Sequence, residues 1–133
     1  MFSKQHVEGI LLALSKPEIL IQVSETTQIG YKVRLRLNVR AESYAFLEAL
    51  NRSLLQHNVK GNLKEKEHSH RQKPILRIGG IKNLDTVCRL VNPDLPDAKK
   101  SWDSFRKAVE IVGAREHLEL EGIEKLLKIK GVL

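Results

Sequence analysis

The stretch Tyr31-Lys32-Val33-Arg34-Leu35-Arg36-Leu37-Asn38-Val39-Arg40 alternates without a break. Lys32, Arg34, Arg36, Asn38 and Arg40 occupy one set of alternate positions, and Val33, Leu35, Leu37 and Val39 occupy the other. Successive side chains of a strand point to opposite faces, so this period of two predicts a strand half in a core and half outside. Four cations on one strand face repel one another unless an anion neutralises them. The fold reading therefore turns on what covers the aliphatic side, and the functional reading on what meets the basic side.

Upstream, Ile19 to Ser24 is a second alternating, β-branched run, joined to the first through a turn centred on Gln28-Ile29-Gly30. Before it, Ser3 is placed to cap a helix from Lys4 to about Ser15, which Pro17 is expected to stop. Val7, Ile10, Leu11, Leu12, Ala13 and Leu14 leave that helix little polar surface. A helix apolar nearly all round is buried on several sides, and in so short a chain part of that burial is expected from a second copy.

Downstream, Phe46, Leu47, Leu50 and Leu54 fall at helical spacing and predict a helix from about Glu42 to Gln56. Val59 to Glu67 and Arg71 to Ile78 read as a second hairpin with a polar turn near Ser69, ended by Gly79-Gly80. Asn83 is placed to cap a short helix reaching Val91, and Asn92-Pro93-Asp94-Leu95-Pro96-Asp97 reads as a helix-free connection. Trp102, Phe105, Val109 and Val112 mark a helix ending near Gly113, and Leu120, Ile123, Leu126 and Leu127 mark a last one ending at Gly131. The order αββαββα predicts an α+β fold of one domain over 1–133. Helices cover one side of an antiparallel, saddle-shaped sheet, and the other side meets solvent or a ligand.

Twenty-three Lys and Arg against 16 Asp and Glu leave a net charge of +7, which favours polyanionic partners such as DNA, RNA or acidic lipid. Cys88 is the only cysteine, so an internal disulfide is excluded. Its apolar helical surroundings make it a packing residue rather than a nucleophile. No apolar run approaches the roughly 18 residues of a membrane span. The N-terminal residues lack a small-residue cleavage site and read as a helix opening rather than a secretory signal. The expected location is intracellular, either cytoplasmic and associated with the nucleoid or organellar.

If Ile19, Ile21 and Val23 face the core, Gln22, Ser24 and Thr26 face outward. The same logic sends Lys60, Asn62, Lys64 and Lys66 outward from the third strand, and Arg71, Lys73, Ile75 and Arg77 from the fourth. Glu65 and Glu67 alternate with the lysines and are expected on other faces. Lys and Arg supply phosphate contacts, while Arg, Asn and Gln read purine edges, so this face suits a major groove. Gln22, Ser24, Arg34, Arg36, Asn38 and Arg77 are candidate base readers. Lys32, Arg40, Lys60, Lys64, Lys66 and Lys73 are candidate phosphate contacts, and Asn62 is a further DNA-binding candidate on the same face. The plainer reading is a solvated face whose charges serve solubility and edge protection. Single-stranded RNA is a rival ligand, but sheet-based RNA readers stack bases on exposed aromatics. Here Phe46, Trp102 and Phe105 read as core, and Tyr31 sits at a strand end.

Other combinations carry less. His68-Ser69-His70 with His57 matches no standard zinc spacing and reads as a solvated hairpin tip. Gly79-Gly80 lacks the fuller glycine pattern of a phosphate cradle. Asp97, Lys99 and Lys100 read as a helix start, with the two lysines available for backbone contacts. Gly122 has no evident role.

The chain resembles the LAGLIDADG homing-endonuclease family. The resemblance rests on the αββαββα order, on Arg40-Ala41-Glu42-Ser43-Tyr44-Ala45-Phe46-Leu47, and on Lys73-Pro74-Ile75-Leu76-Arg77-Ile78-Gly79. It extends to Leu95-Pro96-Asp97-Ala98-Lys99-Lys100, Phe105 and Glu116-His117-Leu118-Glu119-Leu120-Glu121-Gly122. The name-giving helix aligns as Val7-Glu8-Gly9-Ile10-Leu11-Leu12-Ala13-Leu14-Ser15. The resemblance implies a homodimer closed through Val7, Gly9, Ile10 and Ala13, the small Gly9 and Ala13 allowing close helix approach. It implies double-stranded DNA with a near-palindromic site of roughly 20 bp as partner. Cleaving members hold divalent metal through a carboxylate where this chain has Leu14; the earlier acidic position is Leu12, and Gly79 replaces a basic residue of some cleaving relatives. Leucine offers a divalent ion no lone pair. No catalytic residue, no metal site and no cofactor are therefore expected, and the implied role is regulatory. Two alternatives stand beside it: a metal-dependent endonuclease using Mg²⁺ through Glu18, and an RNA-binding splicing cofactor.

Overall fold

The computed structural model describes residues 2–91 and 100–132. The Asn92-to-Asp97 connection and Lys99 lie outside the described residues.

Helix α1 (Lys4–Leu14) starts at Ser3, whose hydroxyl accepts from the His6 amide. Strand β1 (Ser15–Val23) follows with no intervening loop. Ser15 makes this handover possible: its amide and its buried hydroxyl both donate to the Leu11 carbonyl, one of those a helix end leaves unpaired. Pro17 therefore lies inside a strand rather than in a break before one. An edge strand tolerates it, because the outer side has no ladder to complete. Strand β2 (Tyr31–Arg40) pairs antiparallel with β1 from Tyr31 to Val39. Helix α2 (Tyr44–Leu55) is capped by the Ser43 hydroxyl.

The second hairpin is much shorter than its composition predicts. Strands β3 (Asn62–Lys64) and β4 (Ile75–Gly79) are joined by an irregular segment, 65–74, that holds only a His68–Arg71 bridge. The sheet order is β1-β2-β4-β3, antiparallel throughout. Gly80, at φ +86°, starts α3 (Ile81–Leu90). Asn83 is not the cap. It sits one turn inside α3 and bonds the Gly79 carbonyl and both backbone groups of Lys60, tying helix to loop. Helix α4 (Lys100–Gly113), a 3-10 turn at Glu116–Leu118 and α5 (Leu120–Lys130) complete the chain, with Gly131 left-handed at the final cap.

Helices α1 to α4 pack on the sheet face that carries Leu35, Leu37, Val39, Leu76 and Ile78. Leu11, Leu47, Leu50, Leu54, Leu84, Trp102, Phe105 and Leu126 fill the space between, each at most 1% exposed. The layer stops short of the β1–β2 turn, where Val23 is 84% exposed. Cys88 is buried among these residues and its thiol is pushed up to about 11 by desolvation, which fits packing. Among the described residues no helix is long and apolar enough to cross a membrane.

Candidate nucleic-acid interface

Cross-strand partners share a face, so the register alone arranges the uncovered side of the sheet into rows. From the β1–β2 turn inward these are Gln22 with Lys32, Leu20 with Arg34, and Glu18 with Arg36 and Gly79. The fourth row crosses all four strands as Lys16, Asn38, Arg77 and Asn62. The fifth holds Arg40, Ile75 and Lys64. Gln22, Lys32, Arg34, Asn62 and Lys64 are exposed here, as expected, and Lys16 joins them. Lys16 escapes the sequence reading only because the strand was expected to begin after Pro17. None of these rows, among the described residues, contains an aromatic side chain.

Several expected face residues lie off the strands. Ser24 follows β1 in the turn, where its hydroxyl bonds that of Thr26 at 2.8 Å. Lys60 precedes β3, while Lys66 and Lys73 belong to the 65–74 segment; all three are exposed. Lys73 pairs with Glu42 at 2.6 Å, holding that carboxyl below its ordinary range. Ile75 shares the face but is fully buried and lies outside the main core cluster. Arg40 and Lys64 flank it in the row, and Arg71 reaches back to the neighbouring Pro74 carbonyl.

Glu67, expected on another face, comes to this one, and Glu18 joins it. Because β1 starts at Ser15, Glu18 falls in register with Arg36, whose Nε and an Nη each donate to its Oε2 at 3.2 Å. The other Glu18 oxygen accepts from the Asn38 amide nitrogen, and the Asn38 carbonyl oxygen accepts from Arg77 Nε at 2.9 Å. Asn38 is consequently 0% exposed rather than presented to solvent. Glu67 folds back over the fifth row and accepts two bonds of 2.8 Å from Arg40 and one of 3.1 Å from Arg71. These bonds, the Arg40 hydrogen bond foremost, hold its carboxyl down at about 2. The repulsion expected along β2 is thus partly answered from within the chain, at Arg36 and Arg40. Lys32 and Arg34 remain at the solvent-facing end of the strand.

The histidine tip is also structural. His68 Nδ1 accepts from the backbone amides of His70 and Arg71, forming a turn.

On α1, the four residues expected at a dimer seam divide between two faces. Val7 and Ile10 are buried in the chain's own core, at 1% and 8% exposure, and are unavailable to a partner. Gly9 and Ala13 are exposed, and a methyl group built on Gly9 would meet nothing within 4 Å. Leu14, at the end of the helix, is 47% exposed. It immediately precedes β1, whose Lys16 opens the four-residue row.

No family model matches the chain, and no curated protein sequence matches it. Solved structures do match. The homing endonuclease I-TnaI superposes with a TM-score of 0.79 at 22% identity over 96% of this chain and 85% of its own. The LAGLIDADG meganuclease I-CpaMI, bound to uncleaved DNA, gives 0.77 at 23% identity over 98% of this chain. The meganuclease I-SmaMI, bound to uncleaveable DNA, gives 0.81 at 15% identity over 97%. The chain spans only 43% of I-CpaMI and 44% of I-SmaMI.

Proposed function

From a fold shared with the LAGLIDADG homing endonucleases, we propose that this chain binds duplex DNA sequence-specifically through the uncovered sheet face, as a homodimer that does not cut. The observation that carries the proposal is the row pattern of that face. Exposed Lys16, Lys32, Arg34 and Lys64 stand among Gln22, Asn62 and Arg77 with no aromatic platform for single-stranded bases among the described residues. Cations position a phosphate backbone, and amide and guanidinium groups between them read base edges.

Leu14 supports the absence of cleavage, since an aliphatic side chain stands where the family resemblance places the metal-holding carboxylate. Glu18, the nearest substitute, has both oxygens engaged by Asn38 and Arg36, so a divalent ion would have to displace these donors. A protein that recognises a site and leaves it intact acts as a regulator of whatever lies there. Dimerisation is supported by the small, exposed Gly9 and Ala13 four residues apart on α1. A two-fold pair calls for a near-palindromic site.

Selection of bound sequences from a random duplex pool tests this reading. The expected result is a near-palindromic consensus, left uncut on incubation with Mg²⁺ or Mn²⁺. Nicking that Glu18→Gln abolishes would establish a cleaving enzyme instead, and preferential capture of structured RNA over duplex would replace the ligand.

A further inference from the structure

The fourth row contains a hydrogen-bonded relay that gives its members unequal roles. Glu18, two residues along β1 from Lys16, starts it by accepting from Asn38, which in turn accepts from Arg77. The Asn38 amide has one workable orientation. Turned over, it would set its N–H groups against the Arg77 guanidinium and its oxygen against a carboxylate. Asn38 is 0% exposed and both ends of its amide are used, so it has nothing left to offer a ligand.

Arg36 is gripped along its side, with Nε and one Nη committed to Glu18 at 3.2 Å. Arg77 is bound to Asn38 through Nε alone, which directs its terminal Nη pair away from Asn38. That pair is a planar fork, the shape that matches the O6 and N7 acceptors of guanine in the major groove. Adenine would set its N6 amino donor against the fork. Cytosine would need a free carboxylate, and both Glu18 oxygens are taken. Ordering the arginine beforehand reduces the conformational entropy lost on contact.

Resting on the duplex reading above, we infer that Glu18 and Asn38 are positioning residues that present Arg77 as the guanine reader of each half-site, while Arg36 serves Glu18 rather than the DNA. The sequence treats Arg36, Asn38 and Arg77 as equivalent readers; the bonding leaves one.

The test repeats the random-pool selection with the full chain carrying Arg77→Ala, Asn38→Ala, Glu18→Ala or Arg34→Ala. Arg77→Ala is expected to erase one guanine preference per half-site, a loss of roughly 5- to 150-fold in discrimination. Asn38→Ala and Glu18→Ala are expected to weaken the preference at that same position and leave the rest of the consensus standing. Glu18 makes no contact with Arg77 in the relay, so a loss of stability would not mimic this positional effect. Partly exposed Glu18 also keeps the test available if Asn38→Ala fails to fold. Arg34→Ala is expected to lower affinity without altering that position. A sequence-specific parent whose guanine preference survives Arg77→Ala or Glu18→Ala would overturn the relay alone. A parent that selects no sequence would overturn the duplex reading and the relay together.

Discussion

Glu67 shows how a residue can be misplaced by pattern and explained by chemistry. Alternation with Lys64 and Lys66 sends it away from the basic face, but the 65–74 segment is not a strand, and the carboxylate folds back onto Arg40 and Arg71. Its side chain is 9% exposed and its carboxyl is held at about 2, against an ordinary 4.5. A depressed folded-state value contributes stability above the unfolded value, and that contribution fades as pH falls from about 4.5 towards 2. Thermal melts should therefore show the parent more stable than Glu67→Gln near neutrality, with the gap closing over this acid range. A gap independent of pH would remove the ionic clamp. Gly122 is a second such case, since the sequence assigns it no role. A methyl group there would overlap the Glu116 carbonyl, part of the rigid 3-10 turn packed on α5. Helix propensity favours alanine over glycine by up to about 1 kcal/mol, whereas overpacking against backbone costs about 1–3 kcal/mol. The clash wins, so Gly122→Ala should lower the melting temperature by several degrees. An equal or higher melting temperature would contradict the close approach.

At the scale of elements, α1 carries the clearest division of labour. Its apolar surplus is read from sequence as a dimer seam, but Val7, Ile10, Leu11 and Leu12 are consumed by the chain's own core. What remains outside is Gly9, Ala13 and half-exposed Leu14. The Cβ of a leucine at Gly9 meets nothing within 4 Å in the single chain, and leucine gains helix propensity, so Gly9→Leu should fold at least as stably as the parent. The same side chain would hold two α1 backbones apart. If the chain pairs through α1 as proposed, sedimentation is expected to show a dimeric parent and a monomeric variant, with tight duplex binding lost alongside. A dimer that persists would place the seam elsewhere. The short second hairpin carries a different lesson. Strand composition runs from Val59 to Ile78, yet β3 is three residues and β4 five. The Asn83 ties to Lys60 and the Glu67 clamp hold the flanks in other conformations, bonds between residues far apart in sequence that no local pattern reveals.

For the whole molecule, charge distribution outweighs total charge. A surplus of +7 is compatible with any polyanion, and the cations on this sheet are divided between internal pairs and an exposed remainder. If the exposed remainder of two chains grips about 6–10 phosphates, log affinity should fall against log salt with a slope of roughly −5 to −9. A flat response in a binding titration would sink the duplex proposal at this scale. Mutation of Lys64 should weaken all sequences alike and reduce the slope, in contrast to the positional effect expected at Arg77.

The primary sequence by itself determined the α+β class, the helix order and the two faces of β2, because side-chain period and capping chemistry are local properties. The placing of Leu14 opposite a family carboxylate is likewise an expectation drawn from the sequence resemblance. Tertiary structure alone decided that β1 begins at Ser15, that Glu18 and Glu67 return to the basic face, and that Asn38 is sealed between Glu18 and Arg77. Register and burial depend on partners 18 to 39 residues distant along the chain, and periodicity records which way a side chain points but not what it meets there.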